Sequence, residues 1–293
     1  HTRFCLSRGL GDVYKRQLLL CLFFRVPVYI SVFAAALTYF LFQTGSSPAI
    51  IAQRIGGGIQ SIPLLAIPFF ICAGIFMNSS GVTKRIMNFC NVVTKRMTGG
   101  LGQVNVLLST LMGGLSGSNL ADAAMEAKIL VPEMEEKGYS KEFSSVLTAT
   151  SAMITPLIPP GIGMILYGSI ANVSIGKLFV AGIGIGVLLC ISLMIMVHFI
   201  SKKRGYQPAT KEKQDPEEVK SAVKQAILPL CLPILIIGGI RIGIVTPTEA
   251  GTVAIVYALI LGIIYKELKM SDVVDGLKAV SYTHLTLPTT ERA

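Results

Sequence analysis

The stretch GGLSGSNLADAA (residues 113–124) places glycine, serine and asparagine inside an otherwise apolar segment, and a carboxylate follows closely. Residues 97–121 contain no Asp, Glu, Lys or Arg. Small polar residues in such a segment let the backbone turn and supply oxygen atoms where lipid supplies none. They equally allow two helices to pack closely. The surrounding sequence must decide between a binding site and simple helix packing.

The composition is that of a membrane protein. Of the 293 residues, 52% are hydrophobic and 14% are charged, whereas an ordinary soluble domain carries about 25% charged residues. A helical span needs about 20 apolar residues. Charge-free runs of that length occupy residues 26–53, 55–83, 97–121, 143–176 and 178–201. The sequence therefore predicts an all-α, polytopic protein of the lipid bilayer. Its net charge of +10 reports orientation in the membrane, so no nucleic-acid partner is expected.

The distribution of basic residues predicts a re-entrant hairpin. Residues 84–96 and 202–204 carry basic clusters, which belong on the cytoplasmic side, so an even number of crossings must separate them. Residues 143–171 and 178–200 supply two crossings, and a third through residues 101–121 would break the parity. The 101–121 segment is therefore expected to enter and leave on the same side. Its turn is predicted at Ser116, Gly117, Ser118 and Asn119.

A second interruption lies in the run 143–176. As one helix at about 1.5 Å per residue this run would be about 50 Å long, well beyond the ~30 Å hydrocarbon core. The residues that break it are Thr155, Pro156, Pro159, Pro160 and Gly161. Because proline lacks an N–H, backbone carbonyls near the break lose their helical partners. We predict that this broken helix and the hairpin turn meet at one substrate- and ion-binding site, where half-helix N-termini face an anion and oxygens hold Na⁺.

The oxygens expected to hold Na⁺ belong to Ser116, Ser118, Asn119 and Thr155. Asp122 is a further candidate, although capping or ion pairing within the hairpin is the favoured interpretation of it. Asn105 and Ser109 are predicted to form hydrogen bonds between helices. No catalytic residue and no cofactor other than Na⁺ as coupling ion is predicted.

Four ordered blocks resemble the large membrane subunit (DctM type) of the tripartite ATP-independent periplasmic (TRAP) transporters. They are IPLLAIPFFICAGIFMNSSG (residues 62–81), GGLGQVNVLLSTLMGGLSGSNLADAA (99–124), TPLIPPGIGMILYG (155–168) and GIVTPTEAGTVAIVYAL (243–259). The resemblance extends over about residues 25–277. It implies an inverted-repeat, elevator-type fold, with the hairpin tip at residues 116–119 and the first helix break at 155–161.

The resemblance also implies a function and partners. It implies a permease in the bacterial inner membrane that imports organic acids, such as C4-dicarboxylates, with Na⁺. A small DctQ-type membrane subunit and a periplasmic DctP-type binding protein are the implied partners. The second repeat is expected to be incomplete here, so this chain alone is not expected to transport.

The predicted organisation excludes both ends, which look foreign to the rest of the chain. The expected segments are a foreign tail (1–17), scaffold spans with an interfacial helix (18–98), the first re-entrant hairpin (99–140), the broken helix and following span (141–200), a cytoplasmic linker (201–225), the start of the second repeat (226–280) and a second foreign tail (281–293).

Two alternatives remain. One is a Na⁺-coupled carboxylate carrier that works without a binding protein. The other is an intramembrane serine protease, because Gly114, Leu115, Ser116 and Gly117 fit a G-x-S-G pattern. The only histidine available as a base outside the foreign-looking ends is His198, which the sequence places near the cytoplasmic interface and well away from the depth of Ser116.

Overall fold

The computed structural model describes residues 2–42, 48–60, 62–206 and 216–285, and these residues form helices with no β-strand among them. They divide into two compact units, residues 1–61 and 62–293. The first unit contains three helices: α1 (Thr2–Phe23), α2 (Val28–Phe42) and α3 (Pro48–Ile59). Helix α1 runs through the predicted boundary between the foreign tail and the first span.

The second unit contains the predicted site. Its helices are α4 (Ala66–Ser79), α5 (Val82–Thr94), α6 (Gly100–Ser116), α7 (Asn119–Glu136), α8 (Lys141–Ser151), α9 (Ile162–Ala171), α10 (Ile175–Arg204), α11 (Pro216–Ile242), α12 (Pro247–Tyr265) and α13 (Met270–Leu285). Short 3₁₀ turns at Ile62–Leu65 and Thr155–Leu157 complete it. Helix α10 continues to Arg204 and α11 begins at Pro216, so both reach into the predicted linker 201–225; residues 207–215 of it lie outside the described part.

Length and composition let four helical stretches of the described chain cross a membrane: Ala49–Ser79, Ile175–Arg204, Pro216–Ile242 and Pro247–Tyr265. The pair Lys141–Leu157 and Ile162–Ala171 makes a fifth if it counts as one span, and it is bent by 45°. The predicted polytopic, all-helical character is therefore confirmed. The inverted-repeat and elevator features stay predictions.

Helix α6 is the centre of the second unit. It carries no charged residue, and it packs against α4, α5, α7, α8, α10 and α11. A helix without charged residues and with apolar side chains on several faces is stable when neighbours surround it. Leu108 and Met112 of α6 belong to the main core beside Phe70 and Phe76 of α4, while Val106 faces a second core with Val197 of α10.

Helices α6 and α7 form the predicted hairpin. Gly102, in the first turn of α6, lies beside the ring of Tyr139, which follows the end of α7. The hairpin therefore enters and leaves at the same end of the unit. This is the geometry that the distribution of basic residues predicts.

Side-chain contacts connect several charged segments of this unit. Lys95, just after α5, forms an ion pair with Glu218 of α11 over 3.0 Å. Arg204 donates from Nη1 to Oγ of Ser140 over 3.2 Å. Arg85 of α5 pairs with Glu267 after α12 over 2.8 Å. These contacts link residues 84–96, 133–141, the described ends of 202–224 and 266–269, whereas the side of the membrane they face stays a prediction.

Candidate functional site

The hairpin turn is built by two residues between α6 and α7. Gly117 adopts φ = 61°, in the left-handed region that favours glycine. Ser118 is extended and caps α7, because its side-chain oxygen accepts a hydrogen bond from the N–H of Ala121. A Cβ on Gly117 would collide with the carbonyl oxygen of Pro160. The tip therefore lies directly against the broken helix.

The break itself begins where α8 ends at Ser151. A 3₁₀ turn at Thr155–Leu157 follows, with Pro156 as its second residue, and α9 begins at Ile162. The Pro159–Pro160 peptide bond is cis. Within the described residues, no backbone N–H donates to the carbonyl oxygens of Pro159 or Pro160. Both carbonyls face glycines of the hairpin, Pro159 near Gly114 and Pro160 at Gly117.

Asp122 joins the two interrupted elements. Its Oδ2 accepts a hydrogen bond from Oγ of Ser116 over 2.6 Å and another from Oγ1 of Thr155 over 3.1 Å. The side chain is buried, with 2% of its surface exposed. One carboxylate thus connects the hairpin tip with the start of the helix break. The structure confirms that the two segments meet, and it gives Asp122 a larger role than the local capping favoured from the sequence.

A cavity of about 330 Å³ lies beside this carboxylate. Ser116, Ser118 and Asp122 line it together with apolar side chains such as Met112 and Ile162. Ile162 is the first residue of α9, and Ser118 caps α7, so two helix N-termini meet here. Helix N-termini carry partial positive charge and favour anions.

The oxygens at this point suit a hard cation. A carboxylate, serine and threonine hydroxyls and unpaired carbonyls are ligands of the kind that Na⁺ accepts, because hard cations prefer oxygen. Among the described residues, no group of three or more His, Cys, Asp or Glu side chains could hold a metal ion. The described part of the chain therefore offers no conventional divalent metal centre.

The predicted site residues do not all lie equally close to this point. Asn119 is the first residue of α7 and is half-buried, but its side chain forms no hydrogen bond within the described residues. Thr155 donates to Asp122 and to the carbonyl of Ser109 instead. Gly161 lies against the carbonyl of Pro156. The side chains of Ser116 and Thr155 thus contact Asp122 directly, whereas no hydrogen bond joins Asn119 to them within the described residues.

The sequence pattern did not single out Glu126 as a site residue. Glu126 is fully buried, and its Oε2 accepts a hydrogen bond from Ser109 over 2.7 Å. A signal was present in the spacing, because Asp122, Glu126, Leu130 and Met134 recur every four residues and all are buried. Residues four apart lie on one face of a helix. The two carboxylates therefore share the inward face of α7.

The polar side chains of α6 link it to α8. Asn105 donates to Oγ1 of Thr148 over 2.7 Å and accepts from Oγ of Ser151 over 2.6 Å. All three side chains are buried. This confirms the predicted interhelical role of Asn105 and gives Ser109 the same role, with Glu126 as its partner.

The geometry does not form a protease site. The hydroxyl of Ser116 bonds to Asp122, and His198 lies on an exposed face of α10 beside Phe199. A serine nucleophile needs a base within hydrogen-bonding reach.

Comparison with known proteins decides the family. A family model described as "Tripartite ATP-independent periplasmic transporter, DctM component" matches residues 17–287. The chain belongs to this family. It is 42% identical over 258 residues to the sialic acid TRAP transporter large permease protein SiaM of Vibrio cholerae, covering 88% of this chain and 60% of that protein.

Two further relatives agree. The sialic acid TRAP transporter permease protein SiaT of Haemophilus influenzae is 42% identical over 94% of this chain and 45% of its own length. The 2,3-diketo-L-gulonate TRAP transporter large permease protein YiaN of Escherichia coli is 40% identical over 75% of this chain and 51% of its own length. The chain thus spans 45% to 60% of the length of these three relatives. These relatives are transporter permeases and not enzymes, in agreement with the prediction that the chain is not an enzyme.

Proposed function

We propose that this chain forms the ion- and substrate-binding first half of a TRAP large permease that imports an organic acid together with Na⁺. The observation that carries the proposal is the bond of Asp122 to both Ser116 and Thr155. Oxygens from two interrupted helices meet there, and irregular backbone at membrane depth is found where it lines a binding cavity.

The proposed Na⁺ ligands are the hydroxyls of Ser116, Ser118 and Thr155, the carboxylate of Asp122 and the free carbonyls of Pro159 and Pro160. Asn119 stays a proposed ligand on the sequence argument alone. The substrate anion is proposed to bind beside the ion, facing the N-termini of α7 and α9. A bound cation offsets the charge of an incoming anion, so ion and substrate favour each other's binding by the same factor.

The proposed substrate class rests on the anion-favouring helix N-termini and on the similarity to known transporters. SiaM and SiaT are named for sialic acid and YiaN for 2,3-diketo-L-gulonate, and both compounds are sugar acids. We therefore favour a carboxylate, with C4-dicarboxylates among the candidates. The proposed location is the bacterial inner membrane, and the proposed partners are a small DctQ-type subunit and a periplasmic DctP-type binding protein.

The first test is uptake by the full-length parent protein. Radiolabelled sialic acid and a C4-dicarboxylate are supplied to proteoliposomes with the cognate binding protein and an imposed Na⁺ gradient. Replacing Ser118 or Asn119 by Ala should raise the Na⁺ concentration needed for half-maximal uptake, while membrane insertion is unchanged. Equal uptake with a proton gradient alone would overturn Na⁺ as the coupling ion.

A second test uses this chain alone. Ligands that bind only the folded state raise its stability, by about 2.7 kcal/mol at 100 times Kd. NaCl should therefore raise the unfolding temperature of the detergent-purified chain above its value in KCl. Asp122→Asn should abolish the difference, whereas Glu136→Gln, an exposed control on the same helix, should keep it.

A further inference from the structure

Glu126 is a carboxylate that is not among the proposed Na⁺ ligands. It lies one turn after Asp122 in α7 and is fully buried. Oε2 accepts the hydroxyl hydrogen of Ser109, whereas Oε1 is buried and has no hydrogen-bond partner among the described residues. A buried, unpartnered carboxylate oxygen is unusual, because buried polar groups are nearly always hydrogen-bonded.

No positive charge compensates this side chain within the described part of the chain. The ion pairs of Arg85, Lys95 and Lys278 do not include Glu126. Helix α6 and the Thr155–Leu157 turn contain no charged residue. The charged residues of α8, Lys141 and Glu142, are exposed in its first turn.

The remaining titratable neighbours of Glu126 are acidic. They are the carboxylate of Asp122 on the same face of α7 and the buried thiol of Cys90 in α5, which interacts electrostatically with Glu126. An ionised carboxylate in such surroundings is far more costly than a neutral carboxylic acid, so the group takes up a proton instead. We propose that Glu126 is a proton-binding site inside the hairpin, separate from the Na⁺ site at its tip.

The two sites are connected through α6. Thr155 has one hydroxyl hydrogen and two acceptors, Oδ2 of Asp122 at 3.1 Å and the carbonyl of Ser109 at 3.3 Å. Ser109 in turn donates to Glu126. A cation at Asp122 reduces the negative potential at Glu126 and eases loss of its proton. Na⁺ at the tip and the proton on Glu126 therefore oppose each other, and this coupling rests on the function proposed above.

Infrared spectroscopy of the purified full chain tests the proton directly. A buried carboxylic acid gives a C=O stretching band apart from that of carboxylates, and the band shifts in D₂O. At neutral pH the wild type should show this band, and Glu126→Gln should lose it. Glu136→Gln, the exposed control, should keep it. Absence of the band from the wild type, or its full retention in Glu126→Gln, overturns the proposal.

Two more variants keep the test decisive if Glu126→Gln does not fold. Ser109→Ala removes the donor to Glu126, so the band should move to higher frequency; an unshifted band counts against Glu126. Loss of the band in Asp122→Asn would assign the proton to Asp122 and overturn the proposal.

Comparing NaCl with KCl separates the two proposals. Na⁺ should reduce the band in the wild type and not in Asp122→Asn. A band that depends on Glu126 but ignores Na⁺ supports the proton site and counts against the Na⁺ site.

Discussion

Thr155, at the start of the helix break, donates its hydroxyl hydrogen to Asp122, one turn into the second helix of the hairpin, over 3.1 Å. The two residues are 33 positions apart in the chain and both are buried. They fix the relative position of the two interrupted elements. This contact makes the site testable by mutation of one pair.

A double-mutant cycle on Asp122→Asn and Thr155→Val should show a coupling energy of about 0.5–3 kcal/mol, because residues that share a hydrogen bond are not independent. The measurement is the free energy of unfolding of the detergent-purified chain. The pair Asn119→Ala and Thr155→Val is the matched control. We expect a smaller coupling energy for the control pair, because Thr155 bonds to Asp122 and to the carbonyl of Ser109 and not to Asn119. Equal coupling in both pairs would contradict the arrangement.

Because the hairpin packs closely against the helix break, adding a single methyl group at Gly113 is predicted to lower the stability of the chain. A Cβ on Gly113 would lie 2.9 Å from Cα of Thr155, so Gly113→Ala should destabilise the chain by about 1–3 kcal/mol through overpacking. A Cβ on Gly163 in α9 would have no neighbouring atom within 4 Å, so Gly163→Ala should be neutral or stabilising by up to about 1 kcal/mol. Thermal unfolding compares the two variants. A harmless Gly113→Ala would show that the elements are further apart.

Arg85 is predicted to stabilise the connection between α5 and the end of α12. Its guanidinium pairs with Glu267 over 2.8 Å, lies 3.8 Å from the ring centroid of Tyr265 and bonds to the carbonyl of Gly81. Arg85→Met should therefore cost about 1–3 kcal/mol of stability. Lys95→Met removes the more exposed pair with Glu218 and should cost no more than about 1 kcal/mol. Denaturant unfolding checks the order, and a larger effect at Lys95 would contradict it.

Lys137 and Lys203 lie close to the contact between Arg204 and Ser140, and this position predicts a labelling pattern. In a background without reactive native cysteines, Lys137→Cys and Lys203→Cys should both be protected from an impermeant thiol reagent in intact cells. Arg241→Cys, at the far end of the 27-residue helix α11, should be labelled. Labelling at position 137 but not at 203 would rule out the re-entrant hairpin.

The sequence predicted the interruptions better than the contacts made across them. Proline and glycine act on their own backbone, so the breaks at 116–119 and 155–161 could be placed from local rules. Which side chain bridges the breaks depends on the rotation of α7, and only the four-residue spacing of Asp122 and Glu126 hints at it. Charge is misleading there, because a glutamate is usually exposed, whereas Glu126 is fully buried.

The shared carboxylate also constrains how this half of the molecule can move. A displacement that separated α7 from the Thr155–Leu157 turn would break the hydrogen bond between Thr155 and Asp122 and uncover a buried acid. In any large motion, the hairpin and the broken helix are therefore expected to move together as one rigid body. The spacing of the proposed Na⁺ ligands would then stay constant during the motion, and only the side from which water reaches them would change.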